Sequence, residues 1–328
     1  MKHQAQITLI LIAMFVITQI IGLMVVSVYL PQQKEIFNQT TGEYQNITIS
    51  PLLPYGMQPP ELRTSSDFWT ILPGIILSFV IAIIIIFLIS RIKIHFLLRY
   101  WFFAVVILAI GISFNALFLK LNILSVSVNL LIWQAPLAWL IALIIAIPLA
   151  IYKIFKRNII IHNLTELIIY PGIASVFVPI LNVWTAILFL VLISIYDMWA
   201  VWKSKLMIKM AKFQMNEVKI FGGFFIPYIS KKVREQISKL KKSKNKGKLK
   251  RIKINLAILG GGDIVFPIIT SGVFLKFYGL IPAIFVVIGA TIALSLLFIF
   301  SDKKKFYPAM PFISSGIFIA LLLWKILF

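Results

Sequence analysis

The chain has 328 residues, 61% of them hydrophobic, a mean hydropathy of +1.00 and no cysteine. Such an apolar chain is not a soluble globular protein, and the lack of cysteine excludes disulfides, thiol nucleophiles and thiolate metal sites. The formal net charge of +22 raises the question of nucleic-acid binding, which depends on where the basic residues lie.

Nine apolar runs of about 18 residues or more are each long enough to cross about 30 Å of hydrocarbon as a helix. They lie at roughly 7–30, 68–90, 100–120, 127–152, 159–175, 178–202, 254–275, 279–301 and 307–327. The first run is too long for the apolar part of a signal peptide, so we expect a retained helix. Glu166, Pro171 and Gly172 interrupt the fifth. We therefore predict an all-α membrane protein with nine transmembrane helices.

Residues 31–67 form the one sizeable loop between the early runs, rich in Pro, Gln and Thr. It contains Asn-x-Thr sequons at Asn38 and Asn46, whose glycosylation the sequence leaves open. A third match at Asn163 falls at the inner end of the fifth run, where we expect a helix-start role.

The basic residues are concentrated in the even-numbered connections. Between Lys203 and Lys253 there are 17 Lys or Arg and only two Glu. Nothing there resembles a nucleic-acid module, so we expect this loop to set topology and contact anionic lipid. The positive-inside rule places the N-terminus and this loop in the cytoplasm and the C-terminus outside. The chain then divides into an N-terminal membrane region at residues 1–202, a basic loop at 203–253 and a C-terminal membrane region at 254–328.

Two of the four aspartates, Asp197 and Asp263, lie within apolar runs. A charge at membrane depth costs several kcal/mol, which makes each a candidate functional residue. Asp197 lies six residues before Lys203 and Asp263 ten after Lys253, about 9 and 15 Å from the inner edge at 1.5 Å per residue. Both carboxylates therefore reach the inner half of the bilayer.

Two facing carboxylates in a low-dielectric site share a proton, one staying ionised and the other neutral. This is the acid/base pair of an aspartic protease, in which the carboxylate activates water and its partner polarises the scissile carbonyl.

Irregular backbone surrounds Asp263. Gly260, Gly261 and Gly262 precede it and weaken the helix, and Pro267 removes the amide that would bond to the Asp263 carbonyl. At membrane depth such backbone is tolerated where it is buried or lines a water-filled cavity. A third irregular segment, Pro308-Ala309-Met310-Pro311, lies at the inner end of the ninth run.

Together these segments resemble the presenilin/signal peptide peptidase family of intramembrane aspartyl proteases (GxGD type). The resemblance rests on Tyr196-Asp197, on the Gly-x-Gly-Asp motif at Gly260–Asp263, and on Pro308–Pro311 in place of the Pro-Ala-Leu motif. Met310 departs from the usual leucine. The chain looks most like a microbial (archaeal) presenilin homologue.

The resemblance implies an intramembrane aspartic endopeptidase with Asp197 and Asp263 as catalytic residues, and with no cofactor or metal. Its substrates would be transmembrane peptides, single-pass with the N-terminus outside. They would bind as an added strand near Gly260–Gly262 and Pro308–Pro311. Tyr196 orients the two aspartates or packs at the membrane interface, and Glu166 is a partner for a backbone or basic group such as Arg157.

Other classes of function have weaker support. No His-Glu-x-x-His exists for a zinc protease, and no Gly-x-Ser-Gly with a later histidine for a serine protease. A cation-coupled transporter or channel also uses carboxylates in broken helices, but no internal repeat is visible. Prepilin-type peptidases carry Gly-x-Gly-Asp in a different helical context.

Overall fold

The computed structural model describes residues 5–38, 43–49, 53–55, 65–92, 95–122, 127–129, 134–156, 158–203, 222–228, 255–301 and 307–328. These residues contain nine α-helices: α1 Ala5–Tyr29, α2 Ser65–Ile92, α3 His95–Lys120, α4 Leu137–Ile151, α5 Ile159–Phe177, α6 Val183–Met198, α7 Gly261–Tyr278, α8 Leu280–Phe300 and α9 Met310–Leu327. Seven of them, all except α2 and α7, are long and apolar enough to cross a membrane. The prediction of an all-α membrane protein with nine helices is confirmed.

Three two-stranded antiparallel sheets accompany the helices: β1 Gln32–Asn38 with β2 Glu43–Ile49, β3 Ser127–Asn129 with β4 Gln134–Pro136, and β5 Gly223–Tyr228 with β6 Asn255–Gly260. The strands revise two predicted helix bounds. Residues 127–129 and 134–136 precede α4 as strands β3 and β4, and residues 255–260 precede α7 as strand β6. Both stretches are apolar enough to pass for helix ends, and a short apolar run does not distinguish strand from buried helix.

Helices α5 and α6 also begin and end differently from the predicted runs. Helix α5 continues through Pro171 to Phe177, so the residues that interrupt the fifth apolar run do not interrupt the helix. Its N-cap is Asn158, which accepts the Ile160 and Ile161 amides, so the helix-start role expected of Asn163 is wrong as well. Helix α6 begins at Val183, after a 3₁₀ turn and a capping box.

The buried core joins α1 to the C-terminal helices and to the sheet of β5 and β6. Helix α1 packs against α3, α5, α7 and α8, and α9 packs against α8 and α6. Phe15, Phe224, Leu259 and Ile268 are fully buried in one continuous cluster. The β5–β6 hairpin is therefore part of the helical bundle, although β5 lies within the predicted basic loop 203–253.

The hairpin leads directly into α7. Strand β6 ends at Gly260 and α7 begins at Gly261, which places Asp263 in the first turn of the helix. The prediction that α7 is loosened on both sides of Asp263 is thus wrong on the N-terminal side, where the chain is a strand. The hydrogen bonds of a paired strand satisfy backbone that a weakened helix would leave unpaired.

Candidate active site

Asp197 lies near the end of α6 and is bonded to the start of α9. It is 7% exposed, and its Oδ2 accepts the Met310 amide at 3.0 Å. The Ala309 amide is a second backbone donor to the same carboxylate. The first amides of a helix have no partner within the helix and favour a negative charge. The Pro-Ala-Met-Pro segment thus holds Asp197 with its backbone rather than with its side chains.

The prolines of this segment suit that arrangement. Pro308 is buried just before the helix, and Pro311 falls in the first turn of α9, where a missing amide costs no helical hydrogen bond. The Met310 side chain is 3% exposed and belongs to the main core cluster. Position 310 is therefore a core position, which a flexible apolar side chain such as methionine can fill.

Asp263 lies in the first turn of α7 and folds back over the end of β6. It is 9% exposed, its carboxylate is hydrogen-bonded to the Gly260 backbone, and it lies within electrostatic reach of Asp197. A Cβ added at Gly260 would lie 3.1 Å from Asp263 Oδ2. The close approach of this carboxylate to the strand backbone explains the glycine at position 260.

The next two glycines differ from each other. A Cβ at Gly261 would lie 2.8 Å from the Tyr170 hydroxyl, which is buried on α5. At Gly262 the nearest atom would be in the Phe266 ring at 3.5 Å, an ordinary contact. A side chain at 261 would therefore force a shift of its neighbour, one at 260 would be tight against Asp263, and one at 262 would make an ordinary contact.

A hydrogen bond between serines also joins α6 to α9. Ser194 Oγ donates to Ser314 Oγ at 2.9 Å, and both side chains are buried. Ser194 lies about one turn before Asp197, and Ser314 about one turn after Met310. The two helices are thus held together by polar contacts at two successive levels.

Helix α1 contributes one polar contact to the site. Gln19 is fully buried, and its Nε2 donates to the Ile264 carbonyl, next to Asp263, at 3.0 Å. Gln19 is not among the site residues predicted from the sequence. The signal available was a lone amide side chain inside an apolar run, and such residues usually face a partner within a bundle.

Tyr196 is half-buried beside Asp197, and its ring centroid lies 6.3 Å from that of Trp199. The ring contact fits packing near the membrane interface, so both interpretations of Tyr196 stay open. Glu166 pairs with Lys153 and with the Gly223 amide, as expected of a partner for a basic and a backbone group. Arg157, the example given for that partner, lies outside the described residues.

An apolar cavity opens beside α7. Its volume is about 780 Å³, and it is lined by α2, α5, α6 and α7. Val265 and Phe266, which follow Asp263 closely in the chain, form one side of the wall, and the Phe266 ring packs edge-on against Phe189 at 5.5 Å. No group of three or more metal-ligating side chains occurs in the portion of the chain that the structure describes.

The fold is that of a multi-pass membrane protein with two buried aspartates on neighbouring helices. The model of the family "Signal-peptide peptidase, presenilin aspartyl protease" matches residues 52–328, and the chain belongs to that family. The chain is therefore an intramembrane aspartic endopeptidase, and membership of this family implies transmembrane substrates and a lipid environment.

Solved structures agree on the fold. A presenilin family intramembrane aspartate protease in the C222 space group matches with a TM-score of 0.58 and 17% identity, over 98% of this chain and 99% of that one. A presenilin family intramembrane aspartate protease in the P2 space group matches with a TM-score of 0.55 and 16% identity, over 97% of both chains. No curated protein matches the chain.

Proposed function

We propose that Asp197 and Asp263 are the catalytic pair with which this protease hydrolyses peptide bonds inside transmembrane helices. One observation carries the proposal: both carboxylates are buried, lie within electrostatic reach of each other, and are bonded by backbone groups of the two irregular segments. Among the described residues neither aspartate forms an ion pair. No observation favours a transporter or channel.

The mechanism follows from a pair that shares one proton. The ionised carboxylate removes a proton from water as its oxygen attacks the scissile carbonyl carbon, while the protonated partner gives its proton to the carbonyl oxygen. The resulting gem-diol collapses as its hydroxyl proton returns to one aspartate and the other protonates the leaving nitrogen. The C–N bond breaks, and the pair again holds one proton.

The edge of β6 that faces away from β5 is the proposed binding place for the unwound substrate. Gly223 and Phe225 of β5 turn their backbone groups toward α5, so their partners Gly260 and Ile258 turn theirs away from the hairpin. An extended peptide added there pairs with β6 and lies beside Asp263 and the Pro308–Pro311 backbone. The apolar cavity between α2 and α7 suits the approach of a helical substrate from the lipid.

The proposed orientation has the N-terminus and the basic loop 203–253 in the cytoplasm and the C-terminus outside, with the membrane regions at residues 1–202 and 254–328 on either side of the loop. Cleavage then takes place in the inner half of the bilayer. A substrate strand pairs with β6 in one direction at a time, so one substrate orientation is preferred. With this topology, the preferred class is single-pass substrates with the N-terminus outside.

The test is cleavage of a model single-pass substrate by the purified protein in proteoliposomes, with products located by mass spectrometry. We expect the cleaved bond to lie in the cytoplasmic half of the substrate's apolar segment. The same segment inserted with its N-terminus inside should be cut more slowly. No cleavage of either substrate, or cleavage only outside the apolar segment, contradicts the proposal.

A further inference from the structure

The outer edge of β5 is closed by side chains of α5. Antiparallel pairing with β6 leaves Gly223, Phe225 and Pro227 with their backbone groups on that edge. Asn163 bonds both groups of Phe225: its Nδ2 donates to the carbonyl at 2.7 Å and its Oδ1 accepts the amide at 3.0 Å. This is the pair of bonds that a neighbouring strand would make. Pro227 has no amide to offer.

Gly223 is held in the same way by two more residues of α5. Its carbonyl accepts from His162 Nε2 at 2.8 Å, and its amide donates to Glu166 Oε1 at 3.4 Å. Glu166 is anchored by Lys153, whose Nζ lies 2.5 Å from the same oxygen and 3.3 Å from His162 Nδ1. The imidazole tautomer with its proton on Nε2 satisfies both of its contacts. All three side chains are buried.

The three residues His162, Asn163 and Glu166 form what we call the α5 clamp. Its position matters because the hairpin is continuous with the candidate active site: Gly223 lies opposite Gly260, and Gly260 bonds Asp263. A shift of β5 therefore moves β6 and Asp263 together. A substrate strand on the β5 side would lie two strand spacings, about 10 Å, from β6, whereas one added directly to β6 lies about 4.8 Å from it.

We propose that Asn163 is a positioning residue for the substrate strand. It occupies the β5 edge that a peptide would otherwise join, so a substrate adds only to β6, and it fixes the hairpin in the register that places β6 beside Asp263. This inference rests on the proposed protease function. Unpaired strand edges recruit other strands, and proteins commonly cover the edges that are not in use.

The test compares Asn163→Leu with Asn158→Ala. Leucine has the same branching and the same number of side-chain heavy atoms as asparagine, and it removes both bonds to Phe225. Asn158 is the N-cap of the same helix, so its replacement weakens α5 without removing a bond to β5. Two measurements are made on each variant in proteoliposomes: hydrogen exchange of residues 222–228, and kcat and KM for the model substrate.

For Asn163→Leu we expect faster exchange of the Phe225 amide and a KM raised about tenfold, the effect of about 1.4 kcal/mol of lost binding, with kcat little changed. Cleavage should also spread over more positions, because the substrate strand is no longer confined to one edge. Asn158→Ala should keep the wild-type KM and cleavage positions.

The possible contrary results are distinct. Unchanged exchange in Asn163→Leu overturns the clamp itself. Faster exchange with unchanged KM and cleavage positions overturns the positioning role and leaves the protease function intact. Equal kinetic losses in both variants also overturn it, since they indicate general destabilisation. A wild-type protein that cleaves nothing overturns the proposed function and the positioning role with it, whereas the exchange data still report the clamp.

Discussion

The fold contains two kinds of buried acidic group, which are held in opposite ways. Glu166, 2% exposed, has a cation, Lys153, at 2.5 Å. Asp197 and Asp263 are 7% and 9% exposed, are hydrogen-bonded by backbone groups and lie within electrostatic reach of each other. Within the described ranges no lysine, arginine or histidine pairs with them. A paired charge stabilises one arrangement of the backbone. Two acids with neutral partners are free to exchange a proton.

The difference separates a structural carboxylate from reactive ones. Burial alone does not do so, because all three side chains are almost equally inaccessible. Removing one partner of a buried ion pair leaves an uncompensated charge and destabilises the fold. Removing the charge of an aspartate that has no counter-ion leaves the fold intact and removes the chemistry. Substitutions at the ion pair and around the aspartates test this contrast.

The largest effect on stability is expected at the ion pair. Lys153→Met leaves the Glu166 carboxylate buried without its cation, and we expect a loss of about 3 kcal/mol in the free energy of unfolding. Thermal unfolding in detergent, followed by tryptophan fluorescence, measures it. Lys325→Met, at an exposed lysine of α9, is the control and should unfold like the wild type. If the two variants unfold alike, the pair does not stabilise the fold.

A smaller change in stability but a large change in activity is expected at Gly260. In Gly260→Ala the new methyl lies 3.1 Å from Asp263 Oδ2, so the carboxylate must move, and we expect roughly a tenfold or greater loss of kcat. The matched control is Gly222→Ala, where the added methyl meets nothing within 4 Å. Equal turnover by both variants contradicts the close approach of Asp263 to the strand.

The smallest effect is expected at the contact between α6 and α9. Ser314→Ala removes the hydrogen bond from Ser194, whose hydroxyl keeps the Leu190 carbonyl as a partner. Bonds of this kind between membrane helices contribute about 0.6 kcal/mol, so we expect a loss of about threefold in kcat/KM at most. Ser315→Ala, whose hydroxyl bonds only one turn back to Pro311, is the comparison. A drop of a hundredfold in Ser314→Ala alone assigns that serine a larger role.

The helices and the family could be predicted from the sequence, because long apolar runs and charged loops are properties of single segments. The two aspartates stand out because a charge in an apolar run is costly wherever it lies. The sequence does not indicate the strands. Residues 256–259 are apolar in a row, and only the pairing of their strand with 223–228, across a segment rich in lysine, distinguishes a strand from the end of a helix.

The polar contacts that hold the site cannot be predicted from the sequence for the same reason. The amide of Met310 reaches Asp197 across 113 residues, and Asn163 reaches Phe225 across 62. No local pattern encodes such distances. The local pattern around Asn163 predicts a helix start, whereas its actual partner lies on another element. The spacing of His162 and Glu166, one helical turn apart, was the available sign of a shared face.

The central claim is that Asp197 and Asp263 act as one catalytic pair, and isosteric removal of each charge tests it most directly. The test compares cleavage of the model substrate and thermal unfolding in Asp197→Asn, Asp263→Asn and the control Asp67→Asn. Asp67 lies in the first turn of α2. We predict no detectable cleavage by the first two, wild-type cleavage by the third, and unfolding temperatures no lower than that of the wild type. Cleavage by either Asp197→Asn or Asp263→Asn at a rate near that of Asp67→Asn would contradict the account.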